Sequence, residues 1–160
     1  MKLLEYKKIM KQVVDSSFLS LKDIKIYILK FGFGFRYSAR AEKEFFGYTI
    51  WINPHYQIYD KYELKGLLAH ELCHIEEYIV KGKKWRIQNK RLCKDKKYNT
   101  EYEKSTDDRV IFEKGYGKEL MKAREKREKI KDKNYELLKD TYYSSEDIKK
   151  KLRLLNTKIN

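Results

Sequence analysis

Apolar residues recur with helical period between Lys61 and Lys81, where Leu64, Leu68, Leu72, Ile75 and Ile79 share one narrow arc. Asp60 is placed to cap the start of this helix and Gly82 to stop it. Inside it, residues 70–74 read His70-Glu71-Leu72-Cys73-His74, the H-E-x-x-H pattern. Two histidines four apart project from one side of a helix, as two zinc ligands require. The glutamate between them sits where it can take a proton from a metal-activated water. Both histidines flank the apolar stripe, so the helix can bury its leucines and still present two imidazoles at the edge of a cleft.

The flanking segments predict an α+β fold. Residues 3–19 repeat Leu4, Ile9, Val13, Val14 and Phe18 with helical period. Residues 24–30 alternate partly and are β-branched, a strand signal. Gly32 and Gly34 punctuate the aromatic stretch Phe31, Phe33, Phe35 and Tyr37, which predicts a turn or bulge leading into a second strand. Gly47 opens a third strand from Tyr48 to Asn53, and Pro54 ends it because proline cannot donate to a ladder. Downstream, Asn99-Thr100 is expected to start a helix that runs to about Lys114. Residues 118–140 are charged and helical in pattern, with Leu120 and Met121 as weak anchors. Ser144 or Ser145 is expected to cap a last helix in which Ile148, Leu152 and Leu155 share a face. The expectation is an N-terminal helix, a small twisted sheet of about three strands, the motif helix, a second ligand-bearing helix and charged C-terminal helices. Residues 1–117 would form the motif-bearing domain, and 118–160 a charged helical extension packed on or near it.

The 160 residues, 41% of them hydrophobic, suit one domain with a modest core. The N-terminus lacks the apolar core of a signal peptide, and no apolar run approaches the ~20 residues that span a bilayer. Cys73 and Cys93 form neither a C-x-x-C pair nor a disulfide framework, so the expected setting is a reducing cytoplasm without membrane insertion. The formal charge of +14 can attract nucleic acid, an anionic membrane surface or acidic proteins, although a solvated lysine-rich surface accounts for it as well. Residues 81–97 hold nine Lys and Arg against the single acid Asp95, with Trp85 and Tyr98 in or beside the run. Lysines contact phosphate and aromatics stack on bases, so nucleic-acid binding with a structural or silent zinc site is the alternative function.

A catalytic zinc site needs a third protein ligand besides His70 and His74. His55 is the only other histidine. Glu101, Glu103, Asp107, Asp108 and Glu113 are the acidic candidates downstream. On a helix Glu103 and Asp107 stack one turn apart, so Glu103 can bind metal while Asp107 holds a histidine ring N–H. Asp108 points about 100° away. Thr100-Glu101-Tyr102-Glu103 is also a capping box, which would spend Glu103 on a helix start. Cys73 turns away from His74 and reads as a small buried filler.

The motif of residues 70–74, followed on a later helix by Glu103-Lys104-Ser105-Thr106-Asp107, resembles the gluzincin zinc metallopeptidases. The segment Tyr48 to Pro54 is similar to the strand that precedes their active-site helix, and the resemblance covers roughly residues 24–117. It implies that His70, His74 and Glu103 ligate Zn2+, that Glu71 is the general base, and that the substrate is a peptide or protein. Two features depart from the family. Cys73 stands where glycine is common, and Lys104 and Thr106 stand where small or acidic residues are common. Asp107 or Asp108 remains the alternative third ligand. His55 and Tyr116 are the candidates for stabilising the oxyanion, and the strand at 48–53 is the candidate edge for pairing with an extended peptide.

Overall fold

A computed structural model describes residues 2–30, 38–53, 59–130 and 133–157. Helix α1 (Leu3–Ser17) leads through a short 3-10 turn (Leu19–Leu21) into strand β1 (Ile26–Lys30). Strands β2 (Ala39–Glu44) and β3 (Gly47–Ile52) form a hairpin. Helices α2 (Lys61–Leu92), α3 (Lys96–Phe112), α4 (Gly117–Ile130), α5 (Lys133–Leu138) and α6 (Ser145–Thr157) follow. The α+β expectation holds. The aromatic stretch from Phe31 to Tyr37 and the stop at Pro54 lie outside the described residues.

The sheet order is β1-β3-β2, with β3 parallel to β1 and antiparallel to β2. The strand expected to offer an open edge, residues 48–53, is therefore the central one, and both its sides are taken. Among the described residues β1 and β2 are the edge strands, and β2 is the one that lines the cleft. The Asn53 N–H donates to the Ser38 carbonyl at 3.0 Å, which makes Ser38 and Asn53 a bonded pair at the end of the ladder. Antiparallel alternation then turns the backbone groups of Ala39, Ala41 and Lys43 away from β3.

One buried cluster joins Tyr6, Ile9 and Val13 of α1, Ile28, Ile50 and Ile52 of the sheet, and Leu64, Leu68, Leu72 and Ile75 of α2. Leu4 is 63% exposed, and Tyr6 supplies the apolar contact in its place. Val110 and Ile111 of α3, Leu120 and Ala123 of α4 and Ile148 of α6 belong to the same cluster, so residues beyond 117 share the core with those before it. Gly66 allows this. A Cβ there would stand 2.2 Å from the Leu120 backbone nitrogen, so only glycine lets α4 cross α2 so closely. No helix among the described residues is long and apolar enough to cross a membrane.

Side chains fix the starts of α2, α3 and α6. Asp60 and Glu63 exchange bonds across the first turn of α2, at 2.9 and 2.8 Å. Asp95 Oδ1 accepts the Tyr98 N–H of α3 at 2.8 Å. Ser144 and Asp147 close a similar box on α6. Helix α3 thus begins before the expected Asn99-Thr100, which places Glu103 in its middle and removes its capping role. Gly82 bends α2 with φ 77° and ψ −175°, but the helix resumes and runs on to Leu92. The second half is held to α3, because the Tyr98 hydroxyl donates to Asn89 at 2.8 Å and the Trp85 ring packs on Tyr102.

Candidate metal centre

The apolar stripe of α2 packs into the core, and the side of the helix carrying His70, Glu71 and His74 borders a cleft of about 650 Å3. The free edge of β2 forms one wall of the cleft, and the part of α2 beyond Gly82 forms another. Glu103 and Tyr102 enter from α3, and Tyr142 from the segment before α6. Helix α3 is held against α2 by Arg109, whose guanidinium donates to the Cys73 carbonyl at 3.0 Å and to Glu76 at 2.6 Å. That docking turns Glu103 and Asp107 toward His70.

Three donor atoms face one another here. His70 Nε2 lies 3.0 Å from Glu103 Oε2, His74 Nε2 lies 3.2 Å from His70 Nε2, and His74 Nε2 lies 3.4 Å from Glu103 Oε2. Ligands about 2.0–2.1 Å from a tetrahedral zinc stand about 3.3–3.4 Å apart, so the triangle has the size of one tetrahedral face. The cysteines do not join it. Both are free thiols, and burial pushes Cys73 up to about 12 and Cys93 up to about 11.

The other ring nitrogens are engaged, which fixes both imidazoles in orientation. His70 Nδ1–H donates to Asp107 Oδ1 at 2.8 Å. His74 Nδ1 lies 2.9 Å from the Tyr102 hydroxyl. The hydroxyl oxygen can accept from an Nδ1–H of His74. Each Nε2 is thereby aimed into the triangle, as a pair of metal-binding imidazoles requires.

Electrostatics reinforce the arrangement. Burial opposes a charged His70, but hydrogen bonds to Asp107 and Glu103 outweigh it and raise the imidazole to about 10. Burial would raise Glu103, yet the facing His74 and His70 hold it well below the usual carboxylate range. Burial also works against a charged Asp107, and Arg124 with His70 keeps it low. Glu71 is raised chiefly by burial, opposed by the two histidines and by a backbone hydrogen bond from Ala41. A buried carboxylate with raised proton affinity beside two imidazoles is the property of a general base.

The acids left open by the sequence divide clearly. Asp107 is fully buried, and its oxygens go to His70, to Arg124 at 3.1 Å and to the Tyr143 N–H at 3.1 Å. Asp108 faces the other way, toward Lys151 at 2.9 Å and the Tyr143 hydroxyl at 3.2 Å. Neither enters the donor triangle. Tyr116 also lies elsewhere, with its hydroxyl 2.6 Å from Ser16 Oγ, and it does not line the cleft. His55 lies outside the described residues. Trp85, expected to stack on bases, packs instead against Tyr78 and Tyr102 with the Lys81 ammonium 4.5 Å over its ring.

Four participants went unread in the sequence: Tyr102, Arg124, Tyr142 and Tyr143. The 14 tyrosines gave no way to choose among themselves. Arg124 left a trace, because the buried face of α4 reads Leu120, Ala123, Arg124 and Arg127 at helical spacing. A cation on an otherwise buried face implies an acid opposite.

No protein family, curated protein or solved structure matches the chain. Its functional reading rests on the geometry of the centre.

Proposed function

We propose that the chain is a zinc-dependent peptidase, with His70, His74 and Glu103 as ligands and Glu71 as general base, working in the reducing cytoplasm. The observation that carries this is the triangle of His70 Nε2, His74 Nε2 and Glu103 Oε2, open to a cleft that Glu71 also lines. Two imidazoles and a carboxylate suit zinc, which when bound supplies a Lewis acid that activates water and polarises a carbonyl.

The residues of the chain do the rest. Glu71 takes the proton of the attacking water and returns it to the leaving amine, and its raised proton affinity suits both halves of that task. The free edge of β2, through the outward backbone groups of Ala39 and Lys43, pairs with an extended peptide. Tyr142, whose ring meets His70 edge-on at 5.7 Å, supplies the hydroxyl for the oxyanion in place of Tyr116.

The test is Glu71→Gln. Peptide hydrolysis should fall by at least about a hundredfold while zinc content stays at the wild-type level. Hydrolysis that persists in the variant removes Glu71 as base. A wild type that binds zinc and cleaves no peptide leaves a structural centre and overturns the reading.

A further inference from the structure

We propose that the cleft selects acidic peptide segments, through Arg86 and Lys90 on the second half of α2; this rests on the peptidase reading above. Beyond the bend at Gly82 the helix runs along the cleft, with Arg86 and Lys90 four residues apart on one face. Among the described residues neither has a carboxylate within 4.0 Å. Most other charges of the cleft are engaged; the exception is the Glu44 carboxylate at the end of β2, which has no ion pair among the described residues. Arg40 pairs with Glu42 at 2.7 Å, and Glu42 also accepts from the Trp51 ring N–H at 3.0 Å. Lys43 Nζ donates to the carbonyls of Glu44 and Gly47. Glu71 and Glu103 belong to the reaction centre. On the α2 wall the uncompensated charge is therefore positive, two cations against the single unpaired Glu44 of β2.

A peptide laid along the free edge of β2 turns every second side chain to the same face. Asp or Glu at such positions meets Arg86 or Lys90, and the two sites, one helical turn apart, suit a segment with more than one acid. The net charge of +14 adds long-range attraction for the same substrates, which salt screens. Nucleic acid is the weaker occupant, because Trp85 is spent on Tyr78 and Tyr102 rather than offered to a base.

The experiment compares quenched fluorescent peptides that differ only in Glu or Gln at successive positions around the cleaved bond, with wild type, R86Q/K90Q and E71Q. Exposed charge pairs are worth a few-fold each, so the wild type should favour the best Glu peptide by about five- to tenfold in kcat/KM. The preference should shrink as salt rises and fall to near one in R86Q/K90Q. Because the readout is a ratio within one protein, a loss of folded material lowers both rates and leaves it unmoved. Equal cleavage of Glu and Gln peptides by the wild type, or a preference that survives in R86Q/K90Q, overturns acidic selection alone. No cleavage of either peptide beyond that of E71Q overturns the peptidase reading itself. If R86Q/K90Q loses affinity for a single-stranded oligonucleotide while the peptide preference stands, the basic wall serves nucleic acid and the proposal fails.

Discussion

Asp107 Oδ1 accepts from His70 Nδ1 at 2.8 Å and from Arg124 at 3.1 Å, so an imidazole on α2 is braced by a cation on α4 through one buried carboxylate. The Tyr143 N–H bonds the second oxygen, which ties the segment before α6 into the same brace. Arg124 is stacked in turn on the Tyr142 ring, with its guanidinium carbon 4.3 Å from the centroid. The candidate metal centre therefore depends on residues far beyond the motif that announces it.

Removing the charge of Asp107 should loosen the metal, and it also destabilises the fold because the buried Arg124 loses its anion. Asp107→Asn keeps an acceptor for His70 but weakens its orientation and basicity. Zinc affinity, read by competition with a chelator, should drop about 10–100-fold. An unchanged affinity would mean that Asp107 does not hold the ligand.

Arg124→Met should act on stability. It leaves the buried Asp107 carboxylate only His70 and the Tyr143 N–H, and breaking a buried pair from one side costs up to about 3–5 kcal/mol. Urea unfolding of the zinc-free protein measures this. A midpoint equal to wild type would show that the pair contributes nothing to the fold.

Gly66→Ala probes the crossing of α2 and α4. The added Cβ would stand 2.2 Å from backbone, which cannot give way as a side chain can. A loss near the upper end of the usual overpacking range, about 3 kcal/mol, is expected in the same unfolding assay.

Protons and metal compete for His70. Without metal its imidazole is raised to about 10, so at pH 7 a proton occupies Nε2 where a cation would bind. Zinc binding at pH 7 should therefore release about one proton from this ring, measured by calorimetry in buffers of different ionisation enthalpy. The folded imidazole holds its proton more tightly than the unfolded one. Its contribution to zinc-free stability is thus fully present below pH 6.5 and lost as pH rises through about 10. Melting of chelator-treated protein should fall across that interval, and a flat profile would contradict the shift.

Tyr142→Phe tests the oxyanion assignment. Loss of one donor should lower kcat roughly 100-fold with KM and zinc content little changed. An effect confined to KM would place Tyr142 in substrate binding rather than in stabilising the transition state.

What the sequence made legible was local. His70, Glu71 and His74 could be read because ligand spacing and apolar stripe lie on one helix. The pairing of Glu103 with Asp107 could be read because both lie one turn apart on the next. Long-range pairing could not be read. The parallel pairing that places β1 against β3 joins strands more than twenty residues apart, and it is what closes the second side of 48–53. Gly82 stops the regular backbone as glycine should, but Trp85 and Asn89 pack on Tyr102 and Tyr98 and carry the helix onward. Helix α3 starts ahead of Asn99-Thr100 because Asp95 outcompetes them as a cap. Tyr116 was a choice among equals and fell on the wrong side of the core.

The most direct measurement is X-ray absorption of the zinc-loaded protein, wild type beside Glu103→Ala. One zinc per chain is predicted, with two imidazoles and one carboxylate oxygen in the wild type and the carboxylate lost in the variant. A wild type that binds no zinc, a shell containing cysteine sulfur, or an identical shell in both proteins would contradict a centre built from His70, His74 and Glu103.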